Sequence, residues 1–324
     1  MTNLRRALAL VACLTVVAFL ASPVPVSART VDDRCVGRAP IPASALAEGA
    51  SFGCSLVGRT VYDGQVAVLV PPPGVTVAGD GIGTHGDVVG LRVSNTGGVV
   101  RAVTGVGAGV ARAMAVRSAQ AADPAACKDR TFHLEGHRWS SSLRYGINLG
   151  KAPSRLSKEK LTAQIKVANV NMRKGRNTCG RPTLATPLAH YTGKTKARPD
   201  INARPTTIKC GSFNTRNVVG FGNLPGNLLG WTCYWWLSTG RMGAADIMVD
   251  NGSRLVTSIP AGCTNKWDFE GTVTHEFGHV YGMGHTRSGH ANLTMDHAET
   301  PCSTYARTLG LGDWLGIRKM YGTR

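Results

Sequence analysis

Between residues 29 and 105 the apolar positions fall in short runs, Thr60 to Tyr62, Gln65 to Val70 and Val88 to Val93, broken by Pro71-Pro72-Pro73-Gly74 and by the glycine-rich stretch Gly79 to Gly86. Short apolar runs bounded by turn residues predict strands, and the region reads as a small all-β domain. From Lys158 to Met172 the period changes. Leu161, Ile165, Val167 or Ala168, and Met172 recur at helical spacing and predict an amphipathic helix. A second helix is predicted after Asp268, a suitable N-cap, with Phe269, Val273, Phe277 and Val280 on its core-facing stripe. Leu143 to Asn148, Val218 to Phe221, Leu228 to Trp236 and Ala245 to Val249 read as strands. Residues 127–324 are therefore expected to form an α/β (α+β) domain on a twisted mixed sheet, joined to the β region by an Ala/Gly-rich linker at 106–126.

The first residues have a different character. Arg5 and Arg6 precede an apolar run from Ala7 to Ala21, and Val26-Ser27-Ala28 offers a small-residue exit. That pattern predicts a cleaved export signal over residues 1–28 and a secreted chain. The run is shorter than the roughly 20 residues a membrane-spanning helix needs, so no membrane anchor is expected. Cysteine usage agrees. Of the nine cysteines, Cys13 leaves with the signal, and the other eight suit four disulfides in an oxidising compartment. Eight cysteines allow on the order of 100 connectivities. The nearest-neighbour choice pairs Cys35 with Cys54, Cys127 with Cys179, Cys210 with Cys233, and Cys263 with Cys302.

Charge narrows the partners. The formal net charge is +18, and from Cys127 to Arg216 nineteen Lys and Arg face four Asp and Glu. Such a field favours anionic neighbours, among them cell-wall or matrix polymers and acidic proteins. Without a nucleic-acid fold motif or aromatic residues interleaved with the charge, no nucleic-acid partner is expected. Gly81-Ile82-Gly83-Thr84-His85-Gly86 matches the dinucleotide fingerprint GxGxxG, but a strand and not a helix is predicted after it. It reads as a glycine turn.

The chemistry concentrates in His275-Glu276-Phe277-Gly278-His279-Val280-Tyr281-Gly282-Met283-Gly284-His285. On a helix, His275 and His279 leave the same face one turn apart and reach one ion. Gly282 lets the backbone turn, bringing His285 back as a third ligand. Three protein nitrogens leave the fourth position of a zinc ion open, which marks a catalytic site. Glu276, beside the first ligand, is the candidate general base for a water molecule activated by the metal. Five fixed residues arise by chance in a chain of this length with a probability on the order of 10⁻⁴.

HExxHxxGxxH is the metzincin signature, and the chain resembles that superfamily of zinc proteases. The resemblance implies a Met-turn after the third histidine. Asn292-Leu293-Thr294-Met295-Asp296-His297 matches it, with Met295 as the floor beneath the ligands. Among metzincins the chain looks most like a matrixin catalytic domain. Trp139 to Asn148 resembles its opening strand, Gly243 to Asp250 the strand before the zinc helix, and Leu309 to Gly322 the closing helix. The family's structural zinc and calcium segment is not recognisable between Thr183 and Phe221, where His190 reads as a surface loop residue, so one catalytic Zn²⁺ is expected and no second metal is assigned. Asp296-His297 stands where matrixins carry Tyr-Pro. His297 takes the place of a tyrosine that stabilises the transition state in some metzincins, and is a candidate donor to the oxyanion.

The resemblance further implies that Leu228 to Trp236 is the sheet's edge strand, binding an extended substrate by β-augmentation. Cys35 superficially resembles the cysteine by which a matrixin propeptide blocks zinc. The match fails at the following residue, and Cys54 offers a partner, so residues 29–105 are expected to be either a propeptide that blocks the cleft by other means or a binding module retained in the mature chain. The function expected is a secreted zinc endopeptidase acting on polypeptides. The alternative is a non-catalytic secreted binding protein that holds anionic polymers on the same scaffold. Glu276 weighs for the enzyme, because a scaffold needs no carboxylate beside a zinc ligand.

Overall fold

The structure, a computed structural model, describes residue 35 and residues 38–86, 90–106, 125–184, 186–286 and 289–322. The expected signal (1–28) and most of the expected linker (106–126) lie outside the described residues. Strands β1 (Ile41–Pro42), β2 (Ala50–Ser51), β3 (Thr60–Asp63), β4 (Val66–Leu69), β5 (Val75–Asp80), β6 (Gly90–Thr96) and β7 (Val99–Val106) are followed by β8 (His133–Leu134), β9 (Leu143–Ile147) and helix α1 (Lys158–Lys174). Next come β10 (Ala189–Lys194), β11 (Ile201–Arg204), β12 (Thr207–Cys210), β13 (Val218–Gly222), β14 (Gly230–Leu237) and β15 (Met242–Asp250). Strands β16 (Leu255–Val256) and β17 (Trp267–Asp268) lead to helix α2 (Phe269–Val280), β18 (Met283–Gly284) and helix α3 (Leu311–Tyr321).

The fold is α+β. Its main sheet runs β10-β9-β13-β15-β14-β5-β6-β7-β2, parallel from β10 to β15 and antiparallel from β15 onward. A five-stranded sheet runs β1-β3-β4-β12-β11.

Both sheets mix early and late strands, and this corrects the expected organisation. The N-terminal strands do not close a small β domain of their own: β5 pairs antiparallel with β14 from Asp80↔Thr232 to Val75↔Leu237, and β4 pairs parallel with β12. Asp32–Arg324 pack as one unit. Nor is β14 an edge strand, since β15 and β5 flank it. The physical reason lies in the side chains. Val61, Val66, Val68, Val77 and Val93 are buried in one core with Trp231, Trp235, Ile201 and Ile208, and a few short strands lack the apolar area to form a core alone.

Strand alternation makes β14 the partition between two cores. Trp231, Cys233 and Trp235 face the five-stranded sheet, whereas Tyr234 and Trp236 face the core around the helices. All four aromatics are buried, leaving none free to line an open substrate groove. The four disulfides follow the nearest-neighbour pairing, and Cys210–Cys233 ties β12 to β14.

The helices form where the periodicity places them. Helix α1 starts at Ser157, whose Oγ accepts the N–H of Lys160, and ends at Gly175 in the left-handed conformation. Its stripe of Leu161, Ile165, Ala168 and Met172 is fully buried. Helix α2 is capped by Asp268, whose Oδ2 accepts the N–H of Gly271 at 2.7 Å, and it is buried on every face. No helix among the described residues is long and apolar enough to cross a membrane.

Candidate metal centre

The third turn of α2 brings His275 and His279 onto one face, and Gly282 with β18 returns His285 to them. Gly282 has φ 95°, and a Cβ there would lie 2.2 Å from the carbonyl oxygen of His137, so both conformation and space require glycine. The three Nε2 atoms converge: His275 to His285 is 2.9 Å, His275 to His279 is 3.1 Å, and His279 to His285 is 3.2 Å. Tetrahedral zinc with nitrogens at about 2.0 to 2.1 Å sets its ligand nitrogens about 3.3 Å apart. The outer nitrogens fit the same reading. His275 Nδ1 donates to Thr294 O at 2.7 Å, and His279 Nδ1 donates to Met283 O at 3.0 Å. Asp80 Oδ1 lies 3.3 Å from His285 Nδ1, though not aligned for a hydrogen bond. Each donor interaction leaves the Nε2 lone pair facing the centre. Burial drives His275 and His285 well below the ordinary histidine range and His279 down to about 4, so all three are neutral imidazoles able to ligate. Among the described residues this is the group of histidines and carboxylates with metal-ligand geometry.

Met295 is fully buried beneath α2, and a Cβ on Gly278 would lie 2.1 Å from its Sδ, so glycine at 278 admits the methionine. The turn carrying it is fixed by Asp313, whose carboxylate accepts the N–H groups of Thr294 (2.7 Å), Gly310 (2.9 Å) and Met295 (3.1 Å). Burial raises Asp313 to about 6 in spite of these bonds.

Glu276 lies on the neighbouring face of α2, wholly buried. Its Oε2 accepts the Thr232 hydroxyl at 2.5 Å and its Oε1 accepts the Ile82 N–H at 3.1 Å. Burial raises its carboxyl to about 8, and the bonds from Thr232 and Ile82 only partly offset this. Gly230 makes room for it, since a Cβ there would meet Oε1 at 2.5 Å. His297 is not a solvent-facing turn residue. It is buried, its Nδ1 lies 2.7 Å from Asp296 Oδ1, and its ring packs against Gly86. His190 is exposed on β10, away from the centre.

Sequence reasoning missed Asp80, Ile82, Thr232 and Asp313. Thr232 and Asp313 carry no local signal, because their roles arise from pairing across the fold. The stretch around Asp80 and Ile82 did carry one. Gly79, Gly81 and Gly83 alternate, which strips one face of an extended chain, and a Cβ at Gly79 or Gly81 would meet Trp231 within 3 Å. His137 also went unremarked: it lies beside the centre with its ring 5.0 Å from that of Tyr234, and burial drives it down to about 3.

No family model matches the chain. The chain is similar to a protein of Pyricularia oryzae named extracellular metalloprotease, at 27% identity over 90 residues, which are 28% of this chain and 30% of the relative. The match thus spans less than a third of that protein's length.

Proposed function

We propose that the chain is a secreted zinc endopeptidase of metzincin type, with matrixins as its nearest model. The observation that carries this reading is the convergence of three neutral imidazole nitrogens with a buried carboxylate on the adjacent helical face. His275, His279 and His285 would hold the ion. When bound, zinc supplies Lewis acidity, which activates water near neutral pH and polarises a carbonyl. Glu276 serves as general base, taking the proton of the attacking water and delivering it to the leaving amine. The Thr232 hydroxyl fixes the rotamer of that carboxylate. Thr294 and Met283 carbonyls hold His275 and His279 in the ligating tautomer, and Met295 supports the ligands from below. His297 is the candidate donor to the developing oxyanion.

Four disulfides and the name of the similar fungal protein support export and a polypeptide substrate. The basic stretch from Cys127 to Arg216 suits anionic polymers as neighbours.

The test uses the chain from residue 29 on, before and after limited trypsin treatment, because Ile82 lies over Glu276. One zinc per chain is expected, lost in His285→Ala, together with casein hydrolysis that Glu276→Gln abolishes. Zinc bound by all forms with no hydrolysis in any would instead support the non-catalytic binding protein.

A further inference from the structure

Asp80 to Gly86 leaves the end of β5 and crosses the centre over Glu276. On one side Leu229 N donates to Ile82 O at 2.9 Å, Gly230 N reaches the same oxygen at 3.3 Å, and Thr84 N donates to Asn227 O at 3.0 Å. On the other side Glu299 N donates to Gly83 O at 3.1 Å. Gly83 bridges Leu228 in antiparallel sense and Ala298 in parallel sense. The segment is thus an extended peptide held by main-chain bonds between two walls, the geometry of β-augmentation carried out by the chain on itself. At its centre the Gly81–Ile82 peptide group faces Glu276 through the Ile82 N–H, and the Ile82 side chain is buried in the core around α2. Downstream, Gly86 (φ 74°) lies so close to His297 that a Cβ would stand 2.0 Å from its ring.

The strands on either side are built to stay. Val77 of β5 and Val93 of β6 are fully buried in the core that contains Trp231 and Trp235. The Arg92 guanidinium lies 5.4 Å from the Trp236 ring and pairs with the buried Glu135. Removing β5 and β6 would bare that core and leave Glu135 uncompensated, at several kcal/mol for the buried charge alone. Gly81 to Gly86 is held chiefly by the main-chain bonds above and by one aliphatic side chain.

We propose that Gly81 to Gly86 is a built-in plug, a pseudosubstrate that occupies the cleft and opens it by local displacement while β5 and β6 remain in the sheet. This rests on the peptidase reading of the site. Glu276 is fully buried with the Ile82 N–H on one oxygen and the Thr232 hydroxyl on the other, so solvent water reaches the carboxylate only when the segment moves. The seated chain is latent, and its activity is set by the open fraction. An open population of about 1 to 10% weakens the apparent affinity of any cleft ligand by about 10- to 100-fold.

The test compares the zinc-loaded full chain with its Ile82→Asp variant, in which a polar carboxyl replaces the one aliphatic anchor buried in the core around α2 and releases the segment. Three readouts are taken: hydrogen exchange at the amides of Leu229 and Gly230, affinity for acetohydroxamate as a small zinc-directed probe, and casein cleavage. Expected in the variant are exchange faster by about tenfold or more at both amides and probe binding tighter by about 10- to 100-fold. A second form covers misfolding of the variant. A site-specific protease sequence replacing residues 87–89, cut after folding, frees the same segment without altering its residues. Equal exchange and equal probe affinity in the seated and released forms would overturn the plug. Released amides and a bound probe without casein cleavage would uphold it and reject the peptidase reading.

Discussion

The backbone N–H of Ile82 and the carboxylate of Glu276 meet at 3.1 Å although they lie in opposite halves of the chain. That contact joins the glycine-rich stretch of the early β region to the one carboxylate in the zinc motif. Glu276 is thereby a buried acid with a donor on each oxygen, one from the early β region and one from β14.

Glu276→Gln should keep the fold and the metal and lose the chemistry. The Gln carbonyl can still accept the Ile82 N–H, and the Thr232 hydroxyl can rotate to accept from the new amide. Turnover by the released form is expected to fall by about 10²- to 10⁴-fold, with one zinc per chain retained. Metal analysis beside a peptide assay checks both halves. Zinc loss in this variant would move Glu276 from the base to a ligand-supporting role.

Zinc removal should lower stability. The apo chain keeps three neutral imidazoles with their lone pairs converging in a buried site, so an ion binds the native state far better than the unfolded chain. Free zinc at 100 times its Kd is expected to add about 2.7 kcal/mol. Thermal unfolding with chelator and with graded zinc measures the shift. An unchanged Tm would mean that the three histidines do not bind the metal.

Asp313→Ala would orphan the N–H groups of Thr294, Met295 and Gly310 at once. A loss of about 2 to 4 kcal/mol is expected from buried donors left unpaired. The same change frees the turn whose Thr294 carbonyl orients His275, so zinc affinity should drop by about 10- to 100-fold. Urea unfolding and competitive zinc titration separate the two effects.

Asp246 sets a pH dependence. Its oxygens accept the N–H of Val218 at 2.7 Å and of Asp200 at 2.8 Å, yet burial holds the carboxyl up to about 8. A carboxyl raised on folding contributes stability fully present below its unfolded value near 4 and lost as pH rises through about 8. Between those limits stability should fall by about 1 kcal/mol per pH unit. Denaturation of wild type and Asp246→Asn at pH 5, 6, 7 and 8 checks this. The slope should flatten in the variant, and equal slopes would assign the dependence to another group.

His297→Phe keeps a ring against Gly86 and deletes the donor. A fall in kcat of about 10²-fold or more with KM unchanged is expected if the imidazole serves the oxyanion. Unchanged turnover would leave His297 as a packing residue of the wall.

The convergence of the three histidines was legible because its residues are local. His275, His279, Gly282 and His285 lie within three turns of chain, where helical spacing and one glycine dictate geometry. Helices α1 and α2 and the Asp268 cap were legible for the same reason. The sheet order was not. Gln65 to Val70 showed itself as a strand and Val75 to Asp80 did not, and nothing in an alternating pattern names the partner across the ladder, which for β4 and β5 is β12 and β14. The aromatic run Trp231, Tyr234, Trp235 and Trp236 belonged to a strand paired on both edges and packed on both faces between two cores.

The interleaving of the two sheets also bears on how the chain is made. Strands β3 to β7 leave the ribosome first, yet β4 and β5 find their neighbours only when Thr207–Cys210 and Gly230–Leu237 have followed. Such distant pairing slows folding and leaves valine-rich strands exposed in the meantime. The N-terminal third cannot mature on its own, so the cleft and the segment that fills it take shape in the same late event.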